Sequence, residues 1–381
     1  MKYDYVFTGF GLAGHMLLSK MAVNGLLKNK NILILEPEDK NSNDRTWCFW
    51  EQGNGKWDAV VRHSWEEAFF INESKKIECL KNQYTYKMIE GSTFYKYSYD
   101  NFKEFNVVWR KESVLGFFED NGNCTVTTEQ EEYQGMVLFN SILDFETIKN
   151  NKQYPLLQQH FIGWFIKSKE NSFDSSQATF MDFSVNQYGN TRFMYVLPTS
   201  ATEALVEYTL FSPNLLSTKE YENEIKTYLE RKGIVDFEIV STEKGNIPMT
   251  TYPFWKKNTK QILHIGSAGG WTKASTGFTF KNCDVLTEEL LTLLKSTTTD
   301  FTQFMRNTKY RFYDTLFVDV LYQNNALGYS VFSNMFETKK PQNILKFLEE
   351  ETTFQEDLQV MLSCPKWPFI IGLFKRIVKG F

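Results

Sequence analysis

The chain has 381 residues, 42% of them apolar and 23% charged, a balance that excludes a disordered polymer and suffices for one large core or two coupled domains. Its 34 Phe, 19 Tyr and 9 Trp make aromatics 16% of the sequence against 21 Gly and 9 Pro, which excludes collagenous and low-complexity designs. A formal net charge of -4 supplies no global basic field, so nucleic acid is not expected as a partner.

The first segment, Met1-KYDYVFTGFGLA-Gly14, interrupts its apolar residues with Asp4 and a glycine turn, which argues against a signal peptide. An extended run from Tyr3 to Thr8 leads into Gly9-Phe-Gly11-Leu12-Ala13-Gly14. Leu12, Met16, Leu17 and Met21 then follow at helical spacing, and Asn31-ILIL-Glu36 reads as a second strand. This is a β-α-β unit carrying a dinucleotide fingerprint in its required context, strand to glycine turn to helix, with an acid ending the second strand. Gly9 allows the tight turn, Gly11 the approach of a pyrophosphate and Gly14 close helix–strand packing, while the helix N-terminus supplies partial positive charge. Glu36 would accept from a ribose hydroxyl and repel a 2′-phosphate, which suits FAD or NAD.

Residues from about 85 to 100 and 155 to 255 are rich in Phe, Tyr and Thr with strand-like alternation, as in Thr191-RFMYVL-Pro198 and Ala204-LVEYTL-Phe211, and predict an inserted sheet. Gln261-ILHI-Gly266 is another short strand entering a glycine-rich turn, Gly266-Ser-Ala268-Gly269-Gly270, before a helical pattern from Asp284 to Lys295. A second such turn suits the flavin end of FAD better than a single-cofactor NAD site. Beyond about residue 305 the pattern is helical. The tail, Cys364-PKWPFIIGLFKRIVKG-Phe381, is basic and apolar, with Lys366, Lys375, Arg376 and Lys379 and no acid after Asp357. Trp367, Ile370, Ile371, Phe374, Ile377, Val378 and Phe381 form one helical face, which fits either a docked terminal helix or a lipid-interfacial one. No stretch approaches the roughly 20 apolar residues of a bilayer span. The five cysteines lack a CxxC pair and the four histidines lack ligand spacing, so a metal is not expected.

Several segments together resemble the bacterial lycopene β-cyclases, carotenoid ring-forming enzymes on an FAD-binding fold. They are GFGLAG near the start; Asp44-RTWCFW-Glu51; Gln158-QHFIG-Trp164; Met181-Asp-Phe183; Arg192-FMYVL-Pro198 with Leu205-VEY-Thr209; Gly245-NI-Pro248; Gly266-SAGGWTKASTG-Phe278; and FLEEETTFQEDL near the end. Their order and spacing match over nearly the whole chain. The resemblance implies a redox-neutral, acid-catalysed closure of lycopene's open ends through γ-carotene to β-carotene, requiring reduced FAD, with NAD(P)H to reduce it. It also implies Glu207 as proton donor. The implied cofactor residues are Gly9, Gly11, Leu12, Ala13, Gly14, Glu36 and Arg45 at the first turn, and Gly266, Ala268, Gly269 and Gly270 at the second. Two positions depart from the family pattern: Asn140 in Val137-LFNSI-Leu143 stands where many members carry an acid, and Tyr208 follows Glu207 where Asp is common.

The expected architecture is α/β. It comprises a Rossmann-type FAD-binding domain of residues 1–84, 101–150 and 256–310, a mainly antiparallel β-sheet substrate domain of 85–100 and 151–255, and a helical C-terminal region of 311–381. Cyclisation needs an acid that stays protonated near neutral pH and a wall that shields a carbocation. Glu207 lies among apolar neighbours, sharing a strand face with Leu205 and Thr209, and Trp47, Phe49 and Trp50 are candidates for the wall. Asp44 and Arg45 either pair with each other or contact the cofactor. A forty-carbon hydrocarbon must be drawn from lipid, which favours the interfacial tail and a peripheral position on the inner face of the cell membrane. The competing expectations are a FAD-dependent monooxygenase or desaturase acting on an apolar isoprenoid, and a non-catalytic carotenoid-binding protein.

Overall fold

The computed structural model describes residues 2–80, 84–296, 300–304, 308–338 and 340–380; Phe381, expected on the apolar face of the tail, lies outside them. The chain opens with β1 (Lys2–Thr8), α1 (Leu12–Val23) and β2 (Ile32–Leu35), the β-α-β unit predicted from the glycine pattern. It continues through β3 (Thr46–Gln52), β4 (His63–Trp65), β5 (Glu67–Ile71), β6 (Lys76–Glu78) and β7 (Tyr84–Glu90) to α2 (Gly91–Phe102). Next come β8 (Val107–Arg110), β9 (Val114–Asp120), β10 (Asn123–Thr128), β11 (Glu132–Asn140) and the short α3 (Phe145–Lys149). The inserted run is β12 (Leu157–Ser168), β13 (Gln177–Asp182), β14 (Thr191–Pro198), β15 (Glu203–Ser212), α4 (Thr218–Arg231) and β16 (Phe237–Met249). The chain then returns through β17 (Ile262–His264) and α5 (Phe280–Leu294), and ends in α6 (Lys309–Gln323), α7 (Leu327–Phe336), α8 (Pro341–Leu348), α9 (Phe354–Ser363) and α10 (Lys366–Lys379).

The first sheet runs β8-β2-β1-β11-β10-β9 with β17 beside β11. Its central pairs are parallel, and β2 is buried along its whole length, as strands covered on both faces must be. Met16, Leu17 and Met21 of α1 share an apolar layer with Phe94 and Phe102 of α2 and Leu290 of α5. The second sheet runs β16-β12-β15-β14-β13-β5-β6 and is antiparallel except where β13 meets β5. Alternation divides β15 cleanly. Val206, Tyr208 and Leu210 pack on Tyr221, Ile225 and Leu229 of α4, whereas Leu205 and Phe211 join the core on the opposite face. A small sheet, β3-β7-β4, lies between these layers in sequence.

Two segments sit differently from the sequence expectation. Residues 67–78, expected with the first sheet, form β5 and β6 at the edge of the second. Residues 85–100, expected as part of the inserted sheet, instead form β7 of the small sheet and most of α2, in which Gly91, Phe94, Tyr95, Ser98 and Phe102 are buried, a helical period that aromatic and Thr content alone disguises as a strand.

Candidate active site

A single cavity of about 480 Å³ runs from the first glycine turn to the inner face of the second sheet. At one end, Gly9 turns the chain with φ +69°, where a Cβ would strike Ser141 Oγ at 2.6 Å. A Cβ on Gly11 would meet nothing within 4 Å, so the space above the turn is open to a ligand. Leu12 and Ala13 open α1 and line the cavity, so first-turn N–H groups without intrahelical acceptors face it. Gly14 lies behind the turn, and its neighbour is the Phe10 ring, which a Cβ would meet at 2.8 Å; close packing there is against the turn rather than a strand. Buried Glu36 accepts from Phe10 N at 2.7 Å and Glu38 N at 3.1 Å, so the acid also braces the turn it serves. These features fit a dinucleotide pyrophosphate and its ribose.

Arg45 is exposed at the cavity rim and donates to the main-chain carbonyls of Asp44, at 2.6 Å, and Lys244, at 3.4 Å; the Asp44 carboxylate turns instead toward Lys40, 3.6 Å away. At the second turn, Gly266 and Ser267 line the cavity, and a Cβ on Gly266 would lie 3.0 Å from Ala13 Cβ, which packs the two turns together. Ala268, Gly269 and Gly270 do not reach this cavity. Gly270 adopts φ +70° beneath the Phe254 ring, and a Cβ on Gly269 would strike the His264 carbonyl oxygen at 2.2 Å. Their contribution is the sharpness of the turn. The segment that carries on into the cavity is Thr276, Gly277, Phe278 and Thr279, which sequence reasoning passed over.

At the other end stands Glu207. Antiparallel register sets four residues in one row across adjacent strands: Glu243 on β16, Gly163 on β12, Glu207 on β15 and Tyr195 on β14. Directly opposed residues share a face, so all four point the same way. A Cβ on Gly163 would meet Leu205 Cδ1 at 2.8 Å and Glu207 Cβ and Cγ at 3.3 and 3.4 Å, so the Glu207 side chain leans over the glycine. Glu207 is buried, and its Oε1 accepts from Thr209 Oγ1 at 2.6 Å. Burial pushes its carboxyl up to about 8; the charge of Glu243 adds to the rise, and the Thr209 bond works against it. Glu207 is therefore a carboxylic acid at neutral pH. Tyr208 points to the opposite face, where its hydroxyl accepts from Arg192 Nη1 at 3.2 Å, so it takes no part in supporting Glu207.

The cavity wall is rich in aromatic rings, Trp47, Tyr86, Phe161, Tyr195, Phe278 and Phe280 among them, and Tyr86 and Tyr195 stand close enough to Glu207 to feel its charge. Of the expected wall residues, only Trp47 lies there. Phe49 stacks on Phe280 with ring centroids 5.1 Å apart, and Trp50 is buried against Tyr86 and Phe278. Asn140 accepts from Thr8 Oγ1 at 2.8 Å and from Ile142 N at 3.1 Å, tying β1 to the end of β11. Gly163 and Glu243 escaped sequence reasoning because they enter the site through strand pairing, which no local motif announces.

The described helices include none long and apolar enough to cross a membrane. The tail forms the predicted helix, α10. Trp367, Ile370, Ile371, Phe374, Ile377 and Val378 are exposed, the side a docked helix would have covered, while Arg376, one of the tail's cations, is 1% exposed and faces the protein.

Known folds of the same type include a geranylgeranyl bacteriochlorophyll reductase-like protein from Thermoplasma acidophilum (TM-score 0.60, 13% identity, covering 100% of this chain and 99% of that one). A flavoprotein/dehydrogenase from Cytophaga hutchinsonii gives a TM-score of 0.60 at 12% identity with the same coverage. The p-nitrophenol 4-monooxygenase of Pseudomonas putida gives 0.58 at 12% identity, covering 100% and 99%. No curated protein sequence matches the chain significantly. The family described as lycopene cyclase protein matches residues 4–372, and with that span, nearly the whole sequence, the chain belongs to the lycopene cyclase family.

Proposed function

We propose that the protein is a lycopene β-cyclase that closes the open ends of lycopene, through γ-carotene, to the rings of β-carotene without net redox change. The observation that carries this reading is the cavity onto which both the dinucleotide turn and the buried Glu207 open; burial raises the Glu207 carboxyl, which suits it to hold a proton there. Glu207 donates its proton to the terminal alkene carbon of the substrate end, leaving a tertiary cation that the neighbouring double bond attacks to form the ring. Loss of a ring proton then leaves the new alkene, so one proton enters and one leaves. Trp47, Phe161, Tyr195 and Phe278 exclude water from this end of the cavity and present ring surface to the cation.

Gly9, Gly11, Leu12, Ala13 and Glu36 would hold the pyrophosphate and ribose of FAD, and Gly266 and Ser267 line the same cavity. When bound, reduced FAD supplies negative charge beside the cationic substrate, and NAD(P)H serves to keep it reduced. The substrate enters from lipid. The outward apolar face of α10, next to exposed Phe354, Leu358 and Leu362 of α9, supports a peripheral position on the cytoplasmic face of the membrane.

The test is expression in a host that accumulates lycopene, followed by pigment chromatography. Wild type is expected to convert lycopene to β-carotene, and Glu207→Gln to leave it unconverted. Well-expressed wild type with reduced FAD that forms no ring refutes the reading.

A further inference from the structure

Glu243 does not line the cavity, yet it is buried on the same sheet face as Glu207, two strands away. Strands lie about 4.8 Å apart, so the two glutamate backbones are roughly 9.6 Å from each other. The only residue between them in the row is Gly163, over which Glu207 leans. The two carboxyl groups therefore look at each other across a position without a side chain.

Their hydrogen bonds differ. Glu243 accepts from Thr46 N at 3.2 Å with Oε1 and from Thr46 Oγ1 at 2.6 Å with Oε2, so both its oxygens are held as acceptors. Arg45, the residue before Thr46, donates to the carbonyl of Lys244, the residue after Glu243, and brings its positive charge alongside. Glu207 has the single Thr209 bond. Two donors and a neighbouring cation favour charge on Glu243, and one donor in an apolar wall favours a proton on Glu207. The other titratable groups facing Glu207 are Tyr195 on β14, Tyr86 on β7 and Cys48 on β3; burial raises all three, so they are neutral when Glu207 titrates. Burial raises the Glu243 carboxyl as well and Asp44 adds to the rise, while the two Thr46 bonds and Arg45 work against it.

We propose that Glu243 is a positioning residue for the acid: its charge, facing Glu207 across Gly163, keeps the proton on Glu207 and so toward the cavity. This deepens the cyclase reading and rests on it for its catalytic meaning. The electrostatic coupling of the two carboxyl groups is itself a property of the resting protein. A neutral glutamate surrogate at 243 removes the repulsion, and Glu207 then surrenders its proton at lower pH.

The experiment is infrared titration of the protonated-carboxyl stretch in the FAD-loaded protein. Glu349 is half-buried and its carboxyl is likewise raised by burial, to about 8, so the Glu207 band is assigned by subtraction of the Glu207→Gln spectrum. In wild type the Glu207 band is expected to vanish with a midpoint near pH 8. In Glu243→Gln the midpoint is expected to fall by about one pH unit, a tenfold change in proton affinity, with the alkaline limb of cyclisation falling with it. Glu243→Asp, which keeps the charge, restores the wild-type midpoint. An unmoved midpoint in folded Glu243→Gln, or a wild-type band that survives Glu207→Gln and disappears in Glu243→Gln, overturns the proposal. If Glu243→Gln does not fold, Thr46→Val is the companion. It removes one donor from Glu243, draws part of the proton there and lowers the Glu207 midpoint by less; no movement in that variant overturns the proposal equally. Wild type that titrates as described yet forms no ring refutes the activity alone. Ring formation with an unmoved limb in Glu243→Gln refutes the role of Glu243 alone.

Discussion

Arg376 clasps Asp319 through two nitrogens: Nε donates to Oδ2 at 2.7 Å and Nη2 to Oδ1, with Arg376 1% and Asp319 7% exposed. Nη1 adds a bond to the Gln153 carbonyl at 3.0 Å. The pair fastens α10 to α6 at the point where Gly372 lets the helices approach, a Cβ there lying 3.1 Å from Val320 Cγ2. Asp319→Asn strands the guanidinium charge and is expected to cost roughly 3–5 kcal/mol in chemical denaturation. Replacing both partners by leucine is expected to recover most of that loss, because no unpaired charge remains.

With the arginine facing inward, the helix presents its apolar side outward. Removing residues 365–381 is expected to leave the protein in the supernatant when anionic vesicles are sedimented, where the full chain pellets. Ile371→Glu with Phe374→Glu alters two exposed side chains, 50% and 66% accessible. It is expected to weaken vesicle binding about a hundredfold, since each side chain contributes roughly 1.5 kcal/mol or more when buried, with thermal stability unchanged. Undiminished sedimentation of both variants would exclude the tail as the lipid contact.

The first turn separates binding from folding. Gly11→Ala adds a methyl group where no protein atom lies within 4 Å, so the chain is expected to fold normally while FAD affinity drops about tenfold or more, read from flavin absorbance of the purified protein. Gly9→Ala meets both a positive φ and the Ser141 hydroxyl, and is expected to lower the melting temperature as well. Equal flavin occupancy in wild type and Gly11→Ala would argue against the pyrophosphate lying over this turn.

Glu207 also sets a pH dependence of stability. Its carboxyl ionises at about 8 in the folded protein against 4.5 ordinarily, so between those values the native state binds the extra proton and stability falls as pH rises. The benefit is complete below 4.5 and gone above 8. Glu349 contributes in the same direction. Glu207→Gln is expected to flatten the slope by about 1.4 kcal/mol per pH unit inside that window, measured by urea denaturation at several pH values. Parallel curves for the two proteins would show that Glu207 is ionised when folded.

The β-α-β unit was legible because glycine spacing and the terminal acid are local signals; Glu207 was legible only through the family resemblance, since alternation over Leu205, Glu207 and Thr209 leaves open which way that face points. The ends of the second turn were misplaced: Gly269 and Gly270 are glycines for the sake of His264 and Phe254, a requirement that arises only once the chain has folded back on itself. Trp50 points to the face opposite Trp47 because neighbours in a strand point apart, and Phe49, on the same face as Trp47, is covered by Phe280, a contact no local motif announces. Residues 67–78 carry no mark of their partner, because β5 finds β13 across more than a hundred residues of sequence.

That last pairing bears on how the chain is made. Strand β5 emerges early from synthesis but waits for β13, and β11 waits for β17 at residues 262–264. The second sheet is complete only at residue 249 and the first only at residue 264, so an N-terminal portion ending before residue 249 holds neither sheet whole. Phe70 of β5, packed on Phe183 and Phe336 in the finished fold, has neither ring to cover it until those residues have been made.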